Sequence, residues 1–467
     1  MTRLKKTLSF LVLVILVISL PFSVKLVKKI TQLISLGRPR LADIVVDISR
    51  SPSIFKKPWQ NLAQGGEEPQ PMLGQIIPEI KALNPQYIRL DHLYDFYDVV
   101  QKNEGRLTYN WSGLDQAVDQ ILATGAKPFL ALSYMPPAIA HDGNPISNPT
   151  NWYEWQAVIK ATVEHFSGVN QRNINDVYYE VWNEPDLFGY YKTYGDKNYL
   201  DLYRFAQAGA QSAVNVNPFK IGGPATTALY KNWVETMIKT ALKENWRLDF
   251  ISWHQYHPDT DLIEEDFIHA REWLFAYIDD LTSKELIISE WGYDSENNPV
   301  YDQQLGAIHC LSGSIKSINK IGKLFSFEIK DGRSPDNQPF WGRWGLLTHQ
   351  DFGSEKKPRY WALNWLNRLG EKRIPLSGEG SWVRGTVSKE DNGEIRLLLV
   401  NYDPQGQHSE AVPISFINLA NGKYVYTQEF FLGQKTDPLT EEITTNELKK
   451  VIFMPANTAL LITLKPA

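Results

Sequence analysis

From residue 42 onward the chain alternates between short β-rich apolar runs and longer stretches whose apolar positions recur at helical spacing. ADIVVDIS is followed by MLGQIIPEIKAL, YIRL by LDQAVDQILAT, KPFLALSY by WYEWQAVIKATVEHF, and VYYEVW by YLDLYRFAQAGAQSAV. KIGG then precedes YKNWVETMIKTALKEN, FISWHQY precedes DFIHAREWLFAYIDDL, ELIIS precedes DQQLGAIHCLSGSI, and KLFSFEI precedes RYWALNWLNRL. The strand-like runs are too brief and too apolar for half-exposed hairpins, and they predict a parallel sheet covered by helices. Eight such units match a (β/α)8 TIM barrel, a fold of typically ~250 residues or more. No glycine-rich phosphate loop follows any strand, which argues against a doubly wound open sheet.

Past Pro375 the pattern changes to β-runs without intervening helices: SWVRGTVS, EIRLLLVNYD, AVPISFI, KYVYTQEFF, KKVIFMP and TALLITL. The Asn-Gly pairs in DNGE and ANGK are strong hairpin signals, so an antiparallel β-sandwich is predicted for residues 376–467. The barrel is assigned to residues 41–375.

The segment before residue 41 has a different character. Arg3, Lys5 and Lys6 precede an uncharged apolar run at residues 7–24, and Lys25, Lys28 and Lys29 follow it. The run reaches the lower end of a membrane span, roughly 17–25 residues, and no Ala-x-Ala cleavage site follows. An uncleaved membrane anchor is therefore expected in preference to a cleaved signal. This predicts an extracytoplasmic protein tethered by its N-terminus, the alternative being one secreted after cleavage. Basic residues on both flanks leave the orientation open.

Composition narrows the function classes. Of 467 residues, 43% are hydrophobic and 22% charged, which is globular, and a net charge of −5 with interspersed signs gives no support to nucleic-acid binding. The 15 Trp and 22 Tyr are an excess that suits a large core or an apolar ligand face. The single cysteine, Cys310, allows no internal disulfide and reads as a small buried hydrophobe.

In a barrel of this kind the functional side chains stand at the C-terminal ends of the strands. The fourth run ends in Trp182, Asn183, Glu184 and Pro185, and the seventh in Glu290 and Trp291. A strand-end acid alone often caps the next helix or pairs with an arginine. Two on one rim, each beside a tryptophan, point to paired-carboxylate chemistry. Cleaving a glycosidic bond needs a proton for the leaving oxygen and negative charge under the developing oxocarbenium ion. Carboxyl groups ~5–5.5 Å apart let the second attack directly, with retention of configuration. The two roles need different environments. Glu184, among Tyr179, Trp182, Phe188 and Tyr190, is expected to stay protonated through desolvation. Glu290 is expected to stay ionised beside Arg89, at the end of the second strand, and Tyr256, at the end of the sixth.

The stretch EVWNEPD, together with EW after the seventh strand, resembles clan A of the glycoside hydrolases, most closely glycoside hydrolase family 39. That family includes β-xylosidases and α-L-iduronidases. The likeness extends over YIRLDHLYD, YNWSGLDQAVDQILATGAKPFLALSYMP, KIGGPA, FISWHQY, SEWGYD and the C-terminal β-domain. It implies Glu184 as acid/base, Glu290 as nucleophile, Asn183 as partner of the sugar 2-hydroxyl, and His254 or Tyr256 near the nucleophile. The chain departs from the family pattern at sugar-contacting positions. Val177 and Tyr179 stand at its aromatic and Phe positions, Asp91 and His92 replace an Arg-x-His ending, and Glu328 occupies the region of a strand-eight tryptophan. Specificity therefore need not carry over.

Other features weigh less. In HQYHP, His254 and His257 face opposite sides of a strand and do not converge on one ion, so no metal is expected. Trp341 and Trp344 in QPFWGRWGLL read equally as packing against the β-domain or as a sugar-stacking wall. Arg333 and Arg343 are positioned to meet a uronate carboxylate, but ordinary ion pairs explain them better. Trp291 is taken as a substrate contact beside Glu290. The expected protein is a retaining glycosidase acting on an oligo- or polysaccharide, without cofactor. Its alternatives are a catalytically inactive cell-surface glycan-binding protein and a transglycosylase using the same residues.

Overall fold

The computed structural model describes residues 39–277 and 284–467. Eight parallel strands close into a barrel: β3 (Asn61–Gln64), β4 (Tyr87–Leu90), β7 (Lys127–Leu132), β8 (Val177–Val181), β9 (Phe219–Thr226), β10 (Phe250–Tyr256), β11 (Glu285–Gly292) and β12 (Lys323–Phe327). Each is followed by a helix, in chain order α1 (Ile77–Ala82), α2 (Ser112–Ala123), α3 (Trp152–Ser167), α4 (Tyr199–Gln211), α5 (Lys231–Lys243), α6 (Leu262–Phe275), α7 (Gln304–Ser317) and α8 (Pro358–Leu366). A hairpin, β5 (Val100–Asn103) with β6 (Arg106–Tyr109), is inserted after β4. Asn151 and Asn198 cap α3 and α4, accepting from Tyr153 and Leu200 backbone N–H groups at 3.0 Å. Those caps start the helices that flank β8.

The first barrel strand is not the one the apolar pattern indicated. The ADIVVDIS run forms β1 (Ile44–Asp47), which lies in the β-domain: it pairs in parallel with β17 (Glu410–Ile417) and antiparallel with β14 (Leu376–Ser377). Its residues alternate between buried and half-buried, the mark of a strand covered on one face only. The barrel begins instead at Asn61-Leu62-Ala63-Gln64, all four buried. Its two polar side chains hid it from a hydrophobicity reading, yet both amide nitrogens find acceptors inside: Asn61 donates to the Pro58 carbonyl and Gln64 to Glu328.

The β-domain comprises two sheets. Strands β14, β1, β17 and β20 (Glu447–Met454) form one; the other runs β19 (Leu439–Ile443), β18 (Gly422–Phe430), β21 (Thr458–Pro466), β16 (Ile395–Asn401), β15 (Val383–Lys389), β13 (Lys372–Ile374) and β2 (Ser53–Ile54). Ile44, Val46, Ile414 and Phe416 of the first sheet share one core with Val387, Leu397 and Ile462 of the second. Pairing is antiparallel except between β1 and β17. The DNGE turn joins the hairpin partners β15 and β16. ANGK instead carries the chain from β17 in one sheet to β18 in the other, so its Asn-Gly marks a crossover.

Helix α7 is held between the barrel and the seven-stranded sheet. Every residue from Gly306 to Ser317 is buried, Cys310 included. On one side Leu398, Val400 and Leu461 of the sheet join the barrel's core. On the other, Trp291 at the end of β11 lies so close that a Cβ added at Gly313 would stand 2.2 Å from its Cζ2. No helix among the described residues is long and apolar enough to cross a membrane; residues 1–38, with the apolar run at 7–24, lie outside them.

The Gly313 contact yields a prediction. Gly313→Val should overpack the helix against Trp291 and lower stability by about 1–3 kcal/mol. A denaturant midpoint equal to that of the wild type would show that the helix does not sit where described.

Candidate active site

The C-terminal ends of the barrel strands surround a cavity of about 470 Å³ whose lining includes Asp91, Tyr134, Asn183, Glu184, Tyr256 and Glu290. The WNEP segment reaches it through an abrupt change of backbone direction. Trp182 and Glu184 both have left-handed backbone angles, φ 76° and 44°. For non-glycine residues such angles cost of order 1–3 kcal/mol. Trp182 is fully buried, and its indole N–H donates to the Phe188 carbonyl at 2.8 Å. The Glu184 N–H donates to the Ala225 carbonyl. The turn lets the consecutive residues Asn183 and Glu184 both face the mouth, which strand alternation alone would forbid.

Arg89, 1% exposed, organises the floor. Its Nε donates to Glu180 Oε2, one Nη to Glu290 Oε1 and the other to Asn183 Oδ1, each at 2.7 Å. Burial works against its charge, but the Glu180 and Glu290 carboxylates more than compensate and raise its pKa above the ordinary arginine value. Because Asn183 Oδ1 is committed to Arg89, its amide nitrogen is oriented to donate, and it does so to the Tyr134 hydroxyl at 2.8 Å. One amide proton is left for a ligand hydroxyl.

Glu290 is held on both oxygens. The second accepts from the Tyr256 hydroxyl at 2.7 Å, and His254 Nδ1 lies 3.5 Å from it and 2.8 Å from Glu184 Oε1. The register of β10 against β11 sets His254 directly opposite Glu290. Burial disfavours a charged His254, yet Glu290 and the bonded Glu184 outweigh it and shift its pKa upward. Burial also raises the pKa of Glu290, opposed by the charges of His254 and Arg89. The expected contrast in burial is not seen: the Glu290 side chain is 8% exposed and that of Glu184 14%. Only Phe188 of the anticipated ring lines the cavity with Glu184; Trp182 and Tyr179 are buried and Tyr190 is exposed. Tyr179 points from β8 to α3, where its hydroxyl lies 2.8 Å from Ser167 Oγ, and Trp182 and Tyr190 stand beyond the end of the strand, so sequence proximity did not make them neighbours of the carboxylate.

A ligand atom from each of Glu184, His254 and Glu290 lies within 4.8 Å of the others, spacing that also admits a metal ion. His254 Nδ1 is already engaged with Glu184, and Glu290 with Arg89 and Tyr256; the Arg89 guanidinium opposes a second positive charge there. His257 stands apart, exposed, with Nδ1 accepting from the Asp259 N–H.

Asp91 and His92 both line the cavity, as does Glu328 its neighbour. Asp91 accepts from the Gly66 N–H, while His92 lies 2.8 Å from Asp95 and 3.1 Å from Glu67. Glu328 accepts from Gln64, and burial raises its pKa well above the usual carboxylate range. Trp291 is a correction. It is 1% exposed and stacks on His309 at 4.9 Å, pointing at the helix layer because it follows inward-facing Glu290. Trp344 lines the cavity, in edge contact with Phe327, and Trp341 lines the adjoining one. Arg343 is paired with Asp302; Arg333 reaches the adjoining cavity, 3.8 Å from Asp351. Tyr134, Glu180, Glu67 and Asp95 escaped the sequence reading. Tyr134, just past the end of β7, was open to the same strand-end rule that singled out Glu184.

A sequence profile of glycosyl hydrolases family 39 matches residues 73–429. The chain belongs to glycosyl hydrolase family 39. It is 28% identical over 367 residues to a β-xylosidase of Caldicellulosiruptor saccharolyticus, covering 73% of this chain and 72% of the relative. The fold is that of a family 39 enzyme from Xanthomonas axonopodis pv. citri, with TM-score 0.75 and 18% identity over 92% of this chain and 98% of the other. A monomeric β-xylosidase from Caulobacter crescentus CB15 superposes with TM-score 0.74 and 19% identity, covering 91% and 99%. The family 39 assignment makes the protein a glycosidase.

Two predictions follow from the charges of the site. Arg89→Met leaves Glu180 buried without its cation, and should lower stability by about 3–5 kcal/mol; a midpoint within 1 kcal/mol or so of the wild type would contradict the burial of that pair. His92 is the second. Burial opposes its charge, but Asp91, Asp95 and Glu67 overcome this and push its pKa from 6.5 up to about 9. A folded value above the unfolded one stabilises fully below the unfolded pKa and is lost as pH rises toward the folded pKa. The melting temperature of the wild type should therefore fall, relative to His92→Gln, as pH rises from 6.5 to 9. Parallel curves would exclude the shift.

Proposed function

We propose that this family 39 glycosidase hydrolyses β-linked pentosides, β-xylosides foremost, by double displacement with retention of configuration. One observation carries the mechanism: carboxylate oxygens of Glu184 and Glu290 lie within 4.8 Å of each other. Inverting enzymes hold their carboxyl groups ~6.5–9.5 Å apart to admit a water, whereas direct attack needs ~5–5.5 Å. The substrate class rests on the β-xylosidase relatives.

In the first step Glu184 gives its proton to the glycosidic oxygen as that bond breaks, and Glu290 Oε2 or Oε1 forms a bond to the anomeric carbon. The aglycone alcohol leaves. Glu184, now a carboxylate, takes a proton from water, whose oxygen attacks the same carbon and releases Glu290. Arg89 and Tyr256 hold the departing carboxylate by the bonds they make in the free site. Asn183 offers its remaining amide proton to the 2-hydroxyl, a bond that strengthens as positive charge develops on the ring. Transfer to a sugar acceptor in place of water uses the same groups.

The apolar run at residues 7–24 supports a further part of the reading, that the enzyme acts outside the cytoplasm on a membrane tether.

The test is kinetic. With an aryl β-xyloside, Glu290→Ala should lose more than about 10⁴-fold in kcat. Glu184→Ala should lose about 10²–10⁴-fold on leaving groups that need protonation and far less on activated aryl ones. The β-anomer should be the first product seen by proton NMR. Full activity in Glu290→Ala, or α-xylose as first product, would sink the assignment.

A further inference from the structure

The catalytic cavity has a neighbour that the double-displacement steps do not use. Beyond the ends of β12 and β3 lies a second cavity of about 300 Å³, lined among others by Gln64, Glu68, Arg333 and Trp341. The two cavities share Gly65, Glu67, Phe327 and Trp344 as their border. At Gly65 that border carries no side chain, and even an added Cβ would stand 3.8 Å from the Glu328 carboxylate.

Strand order fixes which end of a bound sugar points there. Around the closed barrel, β12 is separated from β8 by β3, β4 and β7 on one side and by β9, β10 and β11 on the other. Glu184 follows β8, so the leaving oxygen it protonates lies on that side. The far end of the sugar ring, with the hydroxyl through which a longer chain would continue, is directed at β12 and β3.

We propose that the second cavity is a glycone-side subsite, binding the sugar residue that precedes the cleaved one in a β-linked oligosaccharide. Its chemistry fits a sugar. Trp341 is 46% exposed and stacks on no other ring among the described residues. The indole lies beside Gly332, where an added Cβ would stand 3.4 Å from Trp341 Cδ1. An exposed aromatic face meets the apolar face of a pyranose, and its packing is not needed to close a core. The Arg333 side chain is 69% exposed and only 3.8 Å at best from Asp351, which leaves guanidinium N–H groups to meet hydroxyls. At 300 Å³ the cavity is at the small end of ligand sites, appropriate to one ring. The enzyme is thereby not confined to the terminal residue of its chain and releases a disaccharide as well as a monosaccharide.

The subsite rests on the β-xyloside reading, and a pair of substrates separates the two. The full chain is assayed on an aryl β-xyloside and on the corresponding aryl β-xylobioside. The subsite requires aryl release from the xylobioside without a lag, intact xylobiose as first sugar product, and kcat/KM about tenfold above the xyloside. Trp341→Ala should reduce the ratio of the two kcat/KM values by a similar factor, mainly through KM. Xylose as first product with delayed aryl release overturns the subsite while leaving the β-xyloside reading standing. So does a ratio unchanged by Trp341→Ala. A wild type inert toward both substrates overturns the β-xyloside reading and the subsite with it.

Discussion

Arg89 is a permanently charged group buried beneath the mouth of the barrel, and its three 2.7 Å hydrogen bonds reach two different strands and the loop between strand and helix. A guanidinium can be held there only if carboxylates meet its charge and acceptors meet its fixed fork of donors. Glu180 and Glu290 supply the first, Asn183 completes the second. The same bonds fix Glu290 in direction and Asn183 in rotamer, so the solution to a burial problem is also the alignment of the site. Displacing either carboxylate leaves charge without compensation in a dry environment.

Around that hub the mouth is rich in acids. Glu67, Asp91, Asp95, Glu184 and Glu290 line one cavity, and His92 is the cation that faces it among them. Glu328, driven toward its neutral form by burial, adds a donor-capable carboxyl without adding charge. Such a wall offers many acceptors to hydroxyl groups, and a further carboxylate close to it would meet like charges in a partly desolvated space. The guanidinium of Arg343 is drawn away by Asp302 and does not relieve this.

The β-domain takes part in the barrel's stability. Its seven-stranded sheet covers α7, and α7 in turn buries Trp291 one residue beyond Glu290. The chain crosses between the two units at both ends of the barrel, because β1 and β2 precede the barrel and lie in the sandwich with strands from beyond residue 371. The two units are therefore laced by the backbone as well as by a shared apolar contact. Sequence order places β1 beside the barrel; only pairing reveals it as a neighbour of β17.

The sequence by itself determined what depends on local pattern. Periodicity marked all eight helices and all but the first of the barrel strands, and the strand-end rule marked Glu184 and Glu290, because burial on both faces and loop position write themselves into consecutive residues. It also located Arg89, Asn183, His254 and Tyr256 at the same rim. Tertiary structure decided everything that needs a partner. The polar strand at Asn61–Gln64 becomes legible only when Glu328 and the Pro58 carbonyl are there to accept from its amides. ADIVVDIS has the composition of a barrel strand, and its one-sided burial emerges only from β17. Trp291 and Glu290 are adjacent in sequence and face opposite layers, and Tyr134, distant in sequence, touches Asn183. Hydrophobicity specifies that a side chain is buried; which carboxylate lies in the drier place is set by what the closed barrel brings against it.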